Sequence, residues 1–427
     1  MVGEVLAAVG FFVLIIVSVI LHELGHFVPS KLFGVRVRQF MVGFGPTLWK
    51  TRRGETEYGV KAVLLGGYCA VVGMLPPYRE GKDTRLKRFA DSVRESDWQH
   101  ITDDDVAGGR LFYQQRYLKR LAIMAGGVSI NIVLAFLLFL TCNLVWGKYP
   151  DEPTLDVDQV TECVKLSSTD PTCTPTPAHA AGVRAGDRLA GLNGVAFGSY
   201  AEYKKAINAT VTKDSAGQFQ VDRWTLTVDR PGQGEITLAP TPGMVATFTD
   251  GSTGPFLGVT LKNERVPVGA WVTLKDMGQL SWMSVQAIAK LPYYAWTTLR
   301  DLLTGAPRDP QGVMSVVGAA RVAGEVVATD KLDTSSKVLL YLYLLASINL
   351  FVGLLNLVPL LPFDGGYVAA GLYGVIRSAW AKARGRPDPG PVDAAKLQPV
   401  AYVVVAFLVV FGAVLIVADI FTPIRVF

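Results

Sequence analysis

Four stretches of this sequence, residues 5–28, 121–146, 338–363 and 401–420, are apolar enough to leave water behind. Each can span a hydrocarbon core, which takes about 20 helical residues. No other feature limits the fold so strongly. A chain with four such runs is expected to be an α-helical polytopic membrane protein. The bulk composition agrees: half of the 427 residues are apolar and 18% are charged. That balance is typical of a membrane protein carrying some soluble mass. The net charge of +5 is not gathered into a basic face, so nucleic acid is excluded as a partner. The lipid bilayer is the expected surrounding.

Charge sets the orientation. Between the first two runs lie Lys31, Arg36, Arg38, Lys50, Arg52, Arg53, Arg85, Lys87 and Arg88, followed by Arg116, Lys119 and Arg120 at the edge of the second run. The loop between the last two runs carries Arg377, Lys382, Arg384, Arg386 and Lys396 against only Asp388 and Asp393. Both loops are expected in the cytoplasm. Residues 147–262 are slightly acidic and are expected outside with both termini. The start, MVGE, has no positive n-region, and the run after it is too long for a cleaved signal, so a permanent span is expected. Cys163 and Cys173, both in the outer segment, can pair as a disulfide there. Cys69 and Cys142 stand in apolar contexts and read as small buried hydrophobes.

The first run ends in SVILHELGHFVPS, with His22, Glu23 and His26. Residues four apart share a helix face, so two imidazoles on successive turns can hold one zinc ion. The glutamate beside them can take a proton from water at the metal. Ionisable groups are costly within a span, which argues against a merely interfacial role. From Glu4 to His22 is about 27 Å of helix. A helix entering from outside therefore puts the metal a short way below the cytoplasmic surface. His100 and His179 lie in polar segments and read as surface histidines.

A catalytic zinc needs a third protein ligand and an open position. NLVPLLPFDGG, residues 356–366, holds a lone carboxylate, Asp364, in an apolar setting. Pro359 and Pro362 break helical bonding there, and Gly365 and Gly366 permit unusual backbone angles. Such a break at membrane depth is tolerated only inside protein or along a water-filled cavity. Asp419, near the outer end of the fourth run, falls on the wrong side of the membrane and reads as an interfacial or structural group.

These motifs resemble the site-2 protease family of zinc intramembrane proteases. His22-Glu23-Leu24-Gly25-His26 matches its H-E-x-x-H, and Asn356, Pro359, Asp364 and Gly365 match its N-x-x-P…D-G. The stretch QRYLKRLAIMAGGVSIN is similar to the family's A-G-P-x-x-N, with Gly127 in place of the proline. VGFGPTLWKTRRGETEYGVKAVLLGGY, residues 42–68, resembles actinobacterial members, the regulator-of-sigma-factor type. PAHAAGVRAGDRLAGLNGVAFGSYAEYKKAI, residues 177–207, resembles a PDZ domain.

The chain is expected to divide as follows. Residues 1–34 form the first span with H-E-x-x-H, 35–75 a membrane-re-entrant β-loop, and 76–120 a cytoplasmic loop. Residues 121–147 form the second span and 148–265 an extracytoplasmic α+β PDZ-like domain. Residues 266–336, rich in Trp and Tyr, form outer amphipathic helices. Residues 337–366 form the third span with the third zinc ligand, 367–398 a cytoplasmic loop and 399–421 the fourth span.

The resemblance implies a zinc endopeptidase that cuts single-pass transmembrane substrates. In bacterial members these are anti-sigma factors already trimmed on the outer side. His22, His26 and Asp364 would hold the zinc and Glu23 would act as base. Asn356 and Pro359 would bind substrate. A strand edge at Val35–Phe40 is the expected partner for unwound substrate backbone. The alternative is a non-catalytic membrane receptor or scaffold working through its PDZ-like domain. A metal transporter is disfavoured, because paired polar residues in several spans and an inverted repeat are missing.

Overall fold

The computed structural model of the chain describes residues 2–77, 85–164, 173–213, 219–247, 253–309, 312–390 and 392–424. They fall into two units, Met1–Val145 with Val268–Phe427, and Trp146–Pro267.

In the larger unit four helices are long and apolar enough to cross a membrane. They are Val2–Leu32, Tyr117–Val145, Thr334–Asn356 and Gln398–Phe421, the first to fourth spans. The first leaves Val5, Leu6, Val9, Val13 and Val17 exposed, and the fourth leaves Val403, Val409 and Val410 exposed. Apolar surface of that extent is stable only against lipid or another protein. The protein is thus a multi-pass membrane protein. The second span packs between the first and third, with Ala135, Phe139, Ala346 and Leu350 buried at its contact with the third. Phe11 of the first span is fully buried and meets Tyr341 edge-to-face, with ring centres 5.1 Å apart.

Two long strands follow the first span, Val37–Arg53 and Thr56–Val71. Gly43 and Gly45 take φ of +89° and +82°, values that side-chain-bearing residues rarely adopt, and they bend the first strand. The bend lets Phe40 pair with both Cys69 and Tyr58, while Thr51 pairs with Tyr58 on its other side. Four segments result, in the order 67–71, 37–42, 56–61 and 47–53. The expected free edge at Val35–Phe40 is therefore interior, with Val35 and Val37 at most 1% exposed. The open edge nearest the bundle is 67–71, where Gly67 lies against Val19 and Glu23 of the first span. Glu55, in the turn between the strands, is ion-paired to Lys31 and Arg110.

The third span ends at Asn356 rather than running on to 366. A loop follows, and a new helix, Asp364–Ala383, begins at the aspartate. Residues 367–383, expected as loop, are thus helical. The reading from charge is drawn to Arg377 and beyond, whereas the apolar run before it is too short to register as a span. Gly365 and Gly366 let the loop close over the first helical turn. A side chain on Gly365 would sit 2.3 Å from the Leu357 carbonyl oxygen.

Among the described residues of region 266–336, three helices precede the third span, Ala270–Ala289, Leu291–Thr304 and Val316–Ala328. The first two expose Trp271, Trp282, Tyr293 and Trp296, as an interfacial layer does. The third is a packing element, with Ala319, Ala320 and Ala323 buried against Phe11 and Leu345. Its small residues permit that closeness. Asp419 is a buried structural group, ion-paired to Arg308 and accepting the Ser315 backbone N–H at 2.6 Å.

The smaller unit is built on a four-stranded sheet in the order 234–237, 226–230, 188–192, 195–196. Asn193 and Gly194, both at positive φ, make the two-residue turn between Arg188–Leu192 and Val195–Ala196. Helices Pro177–Ala181 and Tyr200–Ala209 cover a core around Trp224, Leu189 and Val228. Cys163 and Cys173 are disulfide-bonded. Of the Thr/Pro-rich insert, residues 165–172 lie outside the described residues.

Candidate metal centre

His22 and His26 lie one turn apart on the first span, near its end. His26 is 6% exposed, and His22 and Glu23 are each 9% exposed, so all three face protein rather than lipid. The two imidazole Nε2 atoms are 3.2 Å apart. Asp364, the first residue of its helix, brings Oδ2 to 3.4 Å from His22 Nε2 and 3.2 Å from His26 Nε2. These three atoms form a nearly equilateral triangle. A tetrahedral zinc with bonds of about 2.0–2.1 Å has ligand atoms about 3.3–3.4 Å apart. The donor set therefore fits such an ion, and its chemistry, two imidazoles and one carboxylate with a fourth position left over, is that of a catalytic rather than a structural site.

The protein around the triad sets its geometry. His26 donates from Nδ1 to the Ile123 carbonyl of the second span at 2.8 Å. That bond fixes the tautomer and leaves the Nε2 lone pair facing the triad, as carbonyls behind metal-bound histidines do. Gly127 lies directly over the rings. A side chain there would begin 2.3 Å from His26 Nε2 and 2.8 Å from His22 Cε1. The absence of a side chain at Gly127 thus has a steric role, and the second span runs through it as continuous helix.

One residue earlier the two spans touch backbone to backbone. Pro29 lies within the first span and has no N–H to give the Gly25 carbonyl. That oxygen occupies the space where a Gly126 side chain would begin, 1.9 Å from the ideal Cβ position. Small residues at a crossing allow this approach. Glu23 is close enough to both imidazoles and to Asp364 to interact electrostatically with all three. The Cys69 backbone amide lies beside its carboxylate, and Gly67 packs on its Cγ.

The structure thus brings together His22, Glu23, His26 and Asp364. Asn356 is the last residue of the third span, and its side chain makes no hydrogen bond among the described residues. Pro359 is exposed in the loop before Asp364. Sequence reasoning passed over Gly25, Gly126 and the Ile123 carbonyl. The glycines carried a signal, as small residues inside apolar runs; a backbone carbonyl carries none.

An imidazole–imidazole–carboxylate triad with a neighbouring glutamate, set inside a bundle of apolar helices, defines a membrane-embedded metallohydrolase. The comparisons give the particular family. Residues 10–387 match the model of peptidase family M50, and the chain belongs to that family. It is similar to the zinc metalloprotease Rip1 of Mycobacterium tuberculosis, at 33% identity over 98% of both chains. It is also similar to Rip1 of Mycolicibacterium smegmatis, at 31% identity over 98% of both. The protein is a zinc-dependent intramembrane metalloprotease.

Proposed function

We propose that His22, His26 and Asp364 hold the catalytic zinc and that Glu23 is the general base. The observation that carries this reading is the triangle of donor atoms, each 3.2–3.4 Å from the next. A zinc ion there supplies Lewis acidity to a peptide carbonyl and to water, making water nucleophilic near neutral pH. Glu23 takes the proton of the attacking water and returns it to the leaving amine.

The substrate is a single-pass transmembrane protein. Its scissile bond starts inside a helix, hydrogen-bonded and covered, and must be unwound. The 67–71 edge, beside Glu23, can pair with the unwound backbone by strand addition. Asn356, whose amide has no hydrogen-bond partner among the described residues, can take a further backbone group of the substrate, with Pro359 shaping the loop beside it. By likeness to site-2 proteases, the substrate is an anti-sigma factor already cut on its outer side, and cleavage frees a regulator into the cytoplasm. The smaller unit, read as a PDZ-like domain, lies outside with both termini, and the metal centre lies toward the cytoplasmic face.

The test is Glu23→Gln in the full chain, reconstituted with a membrane-embedded candidate substrate. Loss of a general base lowers the rate by about 10²–10⁴-fold while zinc content stays at that of the parent. Unchanged cleavage removes the mechanism.

A further inference from the structure

Beyond the metal centre, the start of the second span and the Asp364 helix border a cavity of about 780 Å³. None of His22, Glu23, His26 and Asp364 lines it. Its size is that of a ligand site. We propose that it binds the phosphodiester headgroup of an anionic phospholipid.

Charge is the first argument. Arg120, Lys382 and Arg386 line the cavity, and none of them has an ion-pair partner among the described residues. The Arg120 Nε is buried with no hydrogen bond. A buried guanidinium N–H without an acceptor is costly, and an anion in the cavity satisfies it. The one acidic residue lining it, Asp388, is engaged through Oδ1 by the Ser378 hydroxyl at 2.7 Å and the Gly390 N–H at 2.9 Å. Arginine forks and a lysine are the usual recognition set for phosphate.

Position selects a lipid over other anions. Arg120 directly precedes the apolar run of the second span, which puts its guanidinium at the depth of headgroups. The cavity faces Gly371, Gly374, Ser378 and Lys382 of the Asp364 helix. Nearly half a turn around the same helix, Leu372, Ile376 and Trp380 form a stripe, 49%, 56% and 60% exposed. That stripe suits acyl chains. Arg384 stacks on Trp380 with 4.3 Å between its guanidinium and the ring centre, an arrangement suited to the membrane interface. An amphiphile satisfies both faces; a free anion satisfies only the cations.

The experiment uses the full chain in nanodiscs of phosphatidylcholine with phosphatidylglycerol. After transfer to detergent, retained lipid is counted by native mass spectrometry. The parent should keep phosphatidylglycerol over phosphatidylcholine by about tenfold, and Lys382→Gln with Arg386→Gln should abolish that preference. Both residues are exposed, so this variant keeps its fold. Arg120→Gln should do the same and Arg120→Lys should retain most of the preference, with thermal melting as the fold check. An unchanged preference in the double variant overturns the proposal. So does displacement by inorganic phosphate, or by an acidic peptide, at the concentration at which short-chain phosphatidylglycerol displaces.

Discussion

Gly127 has no side chain, and the metal centre depends on that. Gly127→Ala would place a methyl 2.3 Å from His26 Nε2, on a ring that its Nδ1 bond to the Ile123 carbonyl holds in place. The expected result is loss of bound zinc, measured by elemental analysis, together with at least a hundredfold loss of cleavage. Gly10→Ala in the first span, with 3.4 Å of room to the Tyr341 hydroxyl, should leave both unchanged. At this scale the sequence was partly legible. His22, Glu23 and His26 follow from helical spacing alone. Asp364 was found because it was a lone carboxylate among apolar residues. The Ile123 carbonyl and the Gly25–Gly126 contact were not legible, because spacing within one helix does not state which neighbour it meets or at what height.

Among the elements, length and hydropathy made the spans readable, whereas pairing and breaks were harder. The 35–75 region reads as strands, but its segment order depends on the bends at Gly43 and Gly45, and so the open edge moved to 67–71. The Asp364–Ala383 helix was hidden by the charges in its second half. The smaller unit carries a prediction of its own. Asp187, 1% exposed, accepts from Arg230 Nε at 2.8 Å and Nη2 at 2.7 Å. Burial pushes its pKa up, but the Arg230 hydrogen bonds and the Arg184 backbone N–H outweigh that and hold it below the ordinary carboxylate value. A lowered folded pKa gives stability that is complete at neutral pH and lost as pH falls through it. Protection of the 188–192 and 226–230 amides, taken against the intrinsic exchange rate at each pH, should therefore hold down to about pH 4 and fall below it. Arg230→Ala should bring fast exchange at neutral pH. Equal protection at pH 3 and pH 7 in the parent would contradict the assignment.

For the whole molecule, the proposed topology puts the basic loops on one side of the bilayer and the smaller unit on the other. A disulfide persists in an oxidising compartment, and Cys163–Cys173 is one. After reduction in intact cells, both cysteines should react with a membrane-impermeant maleimide, whereas Lys382→Cys should react only in permeabilised cells. The reverse pattern would invert the topology and put the metal centre near the outer face.

The Gly25–Gly126 contact acts as a fulcrum. The two spans also pack elsewhere, through Phe27 with Ile123 and Met124 and through Phe11 with Leu138, but only here do backbones meet with nothing compressible between them, so any rocking of one span on the other turns about this crossing and displacement grows with distance along each arm. His26 adjoins Gly25 and His22 lies three residues away, about 4.5 Å along the helix, so swinging the helix ends apart to admit a substrate disturbs the proposed ligand triangle far less than it displaces the ends. Opening and metal retention are thereby separated in one crossing: engineered cross-links at the far ends of the first two spans should block substrate entry while bound zinc stays at the parental level.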